Sequence, residues 1–355
     1  MLYRYAGRFP TSYAAATALF DHPIDRAAIA LLLAFAAGVL PFIGSDYLFE
    51  AVLMPFLALS LAAVGLNLLT GYAGQISLGT AAFMAAGAFA AYNLQLRIPG
   101  IPLLATVVLA GLVTAIIGLV FGLPSLRLKG FYLAVSTLAA QFFVQWALTK
   151  FGWFSNDSPS GVISAPRLVV FELDANSPSG RYLLCLGIVV ALTAFAVRLT
   201  RTQTGRNWIA IRDADVAATL IGVPVFRAKL LAFAISSFYA GVAGVLWAFC
   251  YLRTVEPAGF DLDRSFQVLF IIIIGGLAST RGAFFGAAFI VVFPLLLSRF
   301  GNTFLASIVD AGVVEVIDKI VVGALIIAFL IAEPAGLAAL WRRFKQRLKT
   351  WPFIY

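Results

Sequence analysis

The chain has 355 residues, of which 62% are apolar and only 12% charged, with a formal net charge of +9 and a mean hydropathy of +0.99. A water-soluble domain runs at roughly 45–50% apolar and about 25% charged, so this composition excludes a soluble globular protein and specifies an integral membrane protein. In that setting the positive charge reads as a topology signal on one membrane face, and nucleic-acid binding is excluded as a function class.

A spanning helix takes about 20 residues. Apolar runs bounded by charge, Pro and Gly predict ten spans, near 27–43, 47–69, 75–95, 101–123, 131–150, 182–198, 229–250, 265–280, 283–298 and 313–332, and hence an all-α polytopic membrane protein. Residues 1–26 are mostly polar or small and lack a signal-peptide pattern, so the first run is expected to be a retained helix. The third run is preceded by Thr70-Gly71-Tyr72-Ala73-Gly74-Gln75 and contains Gly79 and Gly87, which predicts a broken or re-entrant segment. Such backbone is tolerated at membrane depth only where protein or a cavity surrounds it.

Two polar segments separate later spans. Residues 151–181 carry several Pro and Gly and read as an outer loop; residues 199–228 fall on the opposite side and read helical from about Asn207 to Ile221, with Trp208, Ile211, Ala218, Leu220 and Ile221 available to one side. Placing the N-terminus inside puts most of the 25 Lys and Arg on the inner face, including the clusters at 198–229 and 342–349, while the acidic residues divide the opposite way. This is the asymmetry expected of cytoplasmic termini. The expected organisation is a cytoplasmic segment 1–26, a transmembrane domain 27–332 and a basic cytoplasmic tail 333–355.

The chemistry of a catalytic site is missing. His22 is the single histidine and lies in the N-terminal polar segment; Cys185 and Cys250 lie inside apolar runs, so neither a metal site nor a disulfide framework is available. No GxxxxGK[ST] phosphate loop occurs, and any use of ATP falls to a partner. Within the spans, Glu315 and Lys319 are spaced to pair on one helical face beside Asp318, which reads either as a structural cluster near the outer interface or as an ion-coupling site. Between residues 51 and 125 the one charge is Arg97. Gly118/Gly122 and Gly282/Gly286 have the spacing that lets helices pack closely.

Three stretches carry a family resemblance. Residues 65–83 read GLNLLTGYAGQISLGTAAF; residues 122–134 read GLPSLRLKGFYLA; and Arg212-Asp213-Ala214-Asp215-Val216-Ala217-Ala218 leads to Gly222-Val223, Lys229-Leu230-Leu231-Ala232-Phe233 and Gly241-Val242-Ala243-Gly244. Their order and spacing resemble ABC-transporter permeases of the branched-chain amino-acid type, and the Leu-Arg-Leu-Lys-Gly run with the long outer loop is similar to the M-type subunit. The resemblance implies an inner-membrane importer subunit that catalyses nothing and binds no cofactor itself. ATP and Mg would sit on two cytoplasmic ATPase partners, with an H-type permease completing a heterodimer and a solute-binding protein outside. It also implies that the inner loop is a coupling helix, Ala217, Ala218 and Gly222 matching the family's Glu-Ala-Ala…Gly pattern with Val216 standing in place of Glu; Arg206, Arg212, Asp213 and Asp215 as rim charges and Trp208 and Leu220 as apolar anchors suit a protein interface, a helix lying on the lipid surface being the alternative reading. Asn156, Asp157, Pro159 and Gly161 resemble the outer region that meets the binding protein, and Glu333-Pro334-Ala335-Gly336-Leu337 resembles the family's closing segment.

A Gly-interrupted helix exposes N–H groups that suit a substrate carboxylate and carbonyls that suit an ammonium. Gly71, Gly74, Gln75, Ser77 and Gly79 are therefore candidate pathway residues, with plain helix packing an equal reading for each. Urea, short amides and aromatic acids remain open as solutes. The rival classes are a stand-alone ion-coupled transporter, needing a site such as 315–319, and a membrane enzyme acting on lipid, against which the lack of His and of buried carboxylate pairs argues.

Overall fold

The computed structural model describes residues 11–12, 23–125, 131–158, 162–166, 168–170, 173–174, 176–304, 320–321, 323–324, 326–329, 331, 333 and 335–350. It is helical almost throughout. Helix α1 (Pro23–Gly38) continues through a short turn at Leu40–Ile43, and α2 runs Leu48–Tyr72 with a widened π turn at each end. Then follow α3 (Thr80–Arg97), α4 (Leu103–Ser125), α5 (Phe131–Lys150), α6 (Pro178–Arg201), the short pair α7 (Gln203–Asp213) and α8 (Asp215–Leu220), α9 (Val225–Leu246, with a π turn to Leu252), α10 (Leu262–Gly275), α11 (Thr280–Phe304) and α12 (Leu337–Thr350). Six of these segments are long and apolar enough to cross a membrane unaided. Nine of the ten expected spans coincide with helices; most of the tenth, with Glu315, Asp318 and Lys319, lies outside the described residues, as do His22, Pro159 and Gly161.

Helices α2 and α9 form the centre, and α9 packs against α2, α3 and α4 at once. Small residues make that possible. A Cβ at Gly244 would strike the backbone of Met84, one at Gly87 the backbone of Gly241, and one at Gly65 the ring-bearing side of Tyr239. Between helices in lipid the association rests on such close backbone contact, because the lipid is as apolar as the side chains. The same device acts elsewhere: Gly118 and Gly122 lie on Ser237 and Phe233, and Gly282 and Gly286 on the backbone of Gly275 and Ile271, so both glycine pairs serve packing.

Polar clamps fix the ends. At the end carrying residues 151–177, hereafter the loop end, Arg181 is 3% exposed and joins three elements: Nη1 donates to the Cys250 carbonyl (3.0 Å), Nη2 to Glu50 Oε1 (2.6 Å) and Nε to the Asn176 carbonyl (3.2 Å). Among the described residues four short strands lie here: β1 (Ile163–Ser164), β2 (Val169–Val170), β3 (Leu173–Asp174) and β4 (Thr254–Val255). β1 pairs antiparallel with β4 and β2 with β3, so the loop is stitched to the α9–α10 connection. At the opposite, basic end, α12 is an amphipathic helix whose Trp341 stacks near Phe285, while Lys345 binds Asp25 of α1 (2.6 Å) and Arg343 binds Glu333 (2.8 Å).

Candidate transport pathway and coupling surface

The third span is broken, as its glycines predict. The helical path ends at Tyr72, residues 73–79 are irregular, and α3 starts at Thr80. The start of α3 lies deep in the bundle: Ala82 N–H donates to Gln141 Oε1 (2.6 Å), Ala81 N–H to Ser265 Oγ (2.9 Å), and Gln141 Nε2 donates to the Phe260 carbonyl (3.0 Å). Gln141 is halfway along the 20-residue α5, about 15 Å from either end at a helix's rise of about 1.5 Å per residue. Helices α3 and α10 therefore both begin at mid-depth and run to opposite ends. Gly87 does not interrupt α3; it is a packing residue.

Several of the N–H groups expected to be free at this break have acceptors within the protein. Leu78 N–H donates to Thr137 Oγ1 (2.9 Å) and Gly79 N–H to Ser77 Oγ (3.4 Å), and the two donors after Thr80 are taken as described. Gly79 itself is pressed against the Thr137 carbonyl, which leaves no room for a side chain. Gln75 is 3% exposed, and neither its amide oxygen nor its amide nitrogen has a partner.

Gly71 and Gly74 do something the sequence did not show. The Gly71 carbonyl accepts from Arg212 Nη1 (2.9 Å), and a Cβ on Gly71 would collide with the backbone nitrogen of Ala278. Gly74 takes a positive φ of 68° and its α-carbon faces the Arg212 stem. Asn67 completes the node: its Oδ1 accepts from Ala278 N–H (2.9 Å) and its Nδ2 donates to the Ser279 carbonyl (2.9 Å). Arg212, which also pairs through Nε with exposed Asp213 (2.9 Å), thus joins α7 to the broken span, whose Asn67 reaches the α10–α11 turn. The signal for Asn67 was present as an Asn within an apolar run, but nothing local names a partner more than 200 residues away.

The inner loop departs from the single helix expected over 207–221. Ala214 is extended (φ −159°, ψ 92°), splitting α7 from α8, and Asp215 starts the second helix. α8 ends at Gly222, whose φ of 85° suits only glycine comfortably; Gly222 N–H donates to the Thr219 carbonyl (3.0 Å) and Val223 N–H to the Ala218 carbonyl (3.0 Å), a Schellman closure. Trp208 is not an exposed anchor: it is fully buried, with Nε1 donating to the Ala228 carbonyl (2.9 Å). Ala218 is likewise buried. Both bind the short helices to the bundle because their side of each helix faces α9. The exposed apolar face consists of Val216, Leu220 and Ile221, at 69%, 83% and 75% exposure, beside exposed Ala217, Arg206 and Asp213. Asp215 approaches Lys229 Nζ at 3.9 Å.

At the loop end, Asn156 and Asp157 are exposed and adopt φ of 51° and 54°. Arg97 holds this turn, its guanidinium 3.5 Å from the Trp153 ring centroid and its Nη2 donating to the Trp153 carbonyl (3.0 Å).

Spanning helices interrupted at mid-depth, with a short apolar-faced helix presented at the basic end, define a membrane transport permease. A family model described as branched-chain amino acid transport system / permease component matches residues 48–330. The chain belongs to that family. The high-affinity branched-chain amino acid transport system permease protein LivM of Salmonella typhimurium is 30% identical over 303 residues, covering 79% of this chain and 67% of the relative. The fructose import permease protein FruG of Bifidobacterium longum is 25% identical over 293 residues, covering 80% and 81% respectively. A solved structure, PsaBC from Streptococcus pneumoniae in complex with Fab, matches at 14% identity and a TM-score of 0.41 over 89% of this chain and 99% of that one.

Proposed function

We propose that this permease is the M-type subunit of an ATP-driven importer for branched-chain amino acids or related small polar solutes, working by alternating access. In this reading the basic end is cytoplasmic. Two ATPase subunits dock at α7–α8, an H-type permease completes the heterodimer, and a solute-binding protein docks on the outer loop near Asn156 and Asp157. ATP and Mg belong to the ATPases.

The observation that carries the proposal is the face of α8. Val216, Leu220 and Ile221 stand out from the protein at its most basic end, flanked by Arg206 and Asp213. Apolar residues ringed by charge are the make-up of a protein interface core and rim. The face is also mechanically connected. Movement of α8 passes through α7 to Arg212, and from Arg212 to Gly71 and Gly74 at the foot of the broken span. A docking helix thus bears directly on the segment that leads to mid-depth, and alternating access would move that segment between two positions. FruG carries a fructose-import name at 25% identity, so the amino acid is the part of the proposal to test first.

The test is uptake of labelled leucine into liposomes holding the complete transporter, with binding protein added outside and ATP enclosed. Accumulation that needs both ATP and the binding protein is the expected result. Equal uptake without ATP contradicts the importer assignment, and ATP-dependent uptake of a sugar but not of leucine contradicts the substrate.

A further inference from the structure

The connection between α9 and α10 leaves a cation at mid-depth. Ser265 both accepts from Ala81 N–H and donates to Gln141 Oε1 (3.1 Å), which places Arg264, one residue earlier, level with the middle of α5. A charge there is costly and marks function unless it is compensated. The Arg264 guanidinium lies over the Trp247 ring, 4.2 Å from its centroid, and Nη1 donates to Gln267 Oε1. No carboxylate among the described residues forms an ion pair with it. Asp261 and Asp263 flank it in the first turn of α10 and act on it at longer range, Asp261 also capping the helix by accepting from the Arg264 backbone N–H (3.0 Å).

Two donors here lack acceptors. Arg264 Nε and Trp247 Nε1 are buried and unpartnered, and Trp247 is 3% exposed. Arg264 lies in the first turn of the 14-residue α10, beside the Asp261 cap, and Trp247 comes from the turn that ends α9. A buried donor without an acceptor costs stability, so the cluster has hydrogen-bonding capacity to spare beside a cation. The Ala81 and Ala82 N–H groups at the start of α3 are already taken, and Arg264, bound through Nη1 to Gln267, is the cation where the two half-helices meet. Arg264 is only partly buried as a residue, and a guanidinium fork matches a carboxylate with two parallel hydrogen bonds.

We propose that Arg264, held against Trp247, receives the carboxylate of the transported solute at mid-depth and so makes this permease selective for carboxylate-bearing zwitterions over amides and sugars. The inference rests on the importer reading above and adds a permease-borne selectivity to it. A solute without a carboxylate would leave the guanidinium unpaired, and a site built around a buried polar group rejects the analogue that cannot satisfy it.

The complete transporter, reconstituted with its binding protein, is assayed for ATP-dependent uptake of leucine and of leucinamide. The wild type is compared with Arg264→Gln, Arg264→Lys and Trp247→Phe. The same binding protein serves every variant, so its own selectivity cancels when leucine-to-leucinamide ratios are compared. The expected result is a wild-type preference for leucine that falls by about ten-fold or more in Arg264→Gln. Arg264→Lys, which keeps the charge but not the fork, should lie between, and Trp247→Phe should lose part of the preference while keeping an aromatic face. An unchanged ratio in Arg264→Gln and Arg264→Lys, even with lower overall uptake, overturns the proposal and makes Arg264 a structural residue. A wild type with no preference overturns it too, while leaving the importer reading intact. Leucine preference that depends on Arg264 but not on ATP supports the site and overturns the importer reading.

Discussion

Arg212 shows how one side chain changes the meaning of its neighbours. A rim charge for a partner and a strut inside the permease are equally compatible with an Arg on an amphipathic helix, and Arg212 has contacts of both kinds: Nη1 reaches the Gly71 carbonyl and Nε pairs with exposed Asp213 (2.9 Å). Gly71 and Gly74 are small because Arg212 and Ala278 occupy the space beside them. Replacing Arg212 with Gln removes the charge and part of the reach while leaving the exposed α8 face untouched. The expected outcome is uncoupling: assembly and ATP hydrolysis persist, while solute uptake falls by about ten-fold, a coupling loss of ~1.4 kcal/mol. Hydrolysis and uptake measured on the same liposomes check this, and wild-type uptake would rule the strut out. Arg264 was hidden from sequence reading for a related reason. The eighth span was expected to begin at 265, so the residue before it counted as loop, whereas α10 begins at Leu262 in the middle of the bundle.

At the scale of elements, the spanning helices were legible because lipid demands long apolar runs with satisfied backbones, and little else competes with that signal. The break before α3 was legible as well, since Gly74 and Gly79 sit where the chain turns and where Thr137 presses on it. What could not be read was where a half-helix starts, because its first turn is capped by Ser265 and Gln141 from other helices. The division of the inner loop at Ala214 escaped for the same reason: the buried side of α7, marked by Trp208, is fixed by α9 and not by local pattern. Close packing of α3 on α9 makes a sharp contrast between glycines. A side chain at Gly244 meets the Met84 backbone, which cannot step aside, so Gly244→Val should exceed the ~1–3 kcal/mol of ordinary overpacking and abolish monodisperse protein. Gly187 in α6 has nothing within 4 Å of such a group, and Gly187→Ala should be neutral or stabilise by up to ~1 kcal/mol through helix propensity. Size-exclusion profiles and melting temperatures of the two variants, compared side by side, decide whether backbone approach governs this bundle.

For the whole molecule, the distribution of charge and loops divides the protein into two ends. Arg198, Arg201, Arg206 and Arg212 lie at the end that carries α7, α8 and α12; Asn156 and Asp157 lie at the other. Cys185 and Cys250 are both buried, so an added surface cysteine can be labelled selectively. Asn156→Cys is expected to react with an impermeant maleimide in intact cells, and Leu220→Cys only after the membrane is opened; the reverse pattern would invert the topology. The account as a whole turns on the α8 face. Its most direct measurement is co-purification of the tagged chain with its partners in mild detergent, wild type beside the double variant Val216→Asp/Leu220→Asp, whose positions are exposed and so leave the bundle intact. The account predicts two ATPase subunits and a second permease with the wild type, and loss of the ATPases alone from the variant. A wild type that purifies without ATPases, or a variant that keeps them, would contradict it.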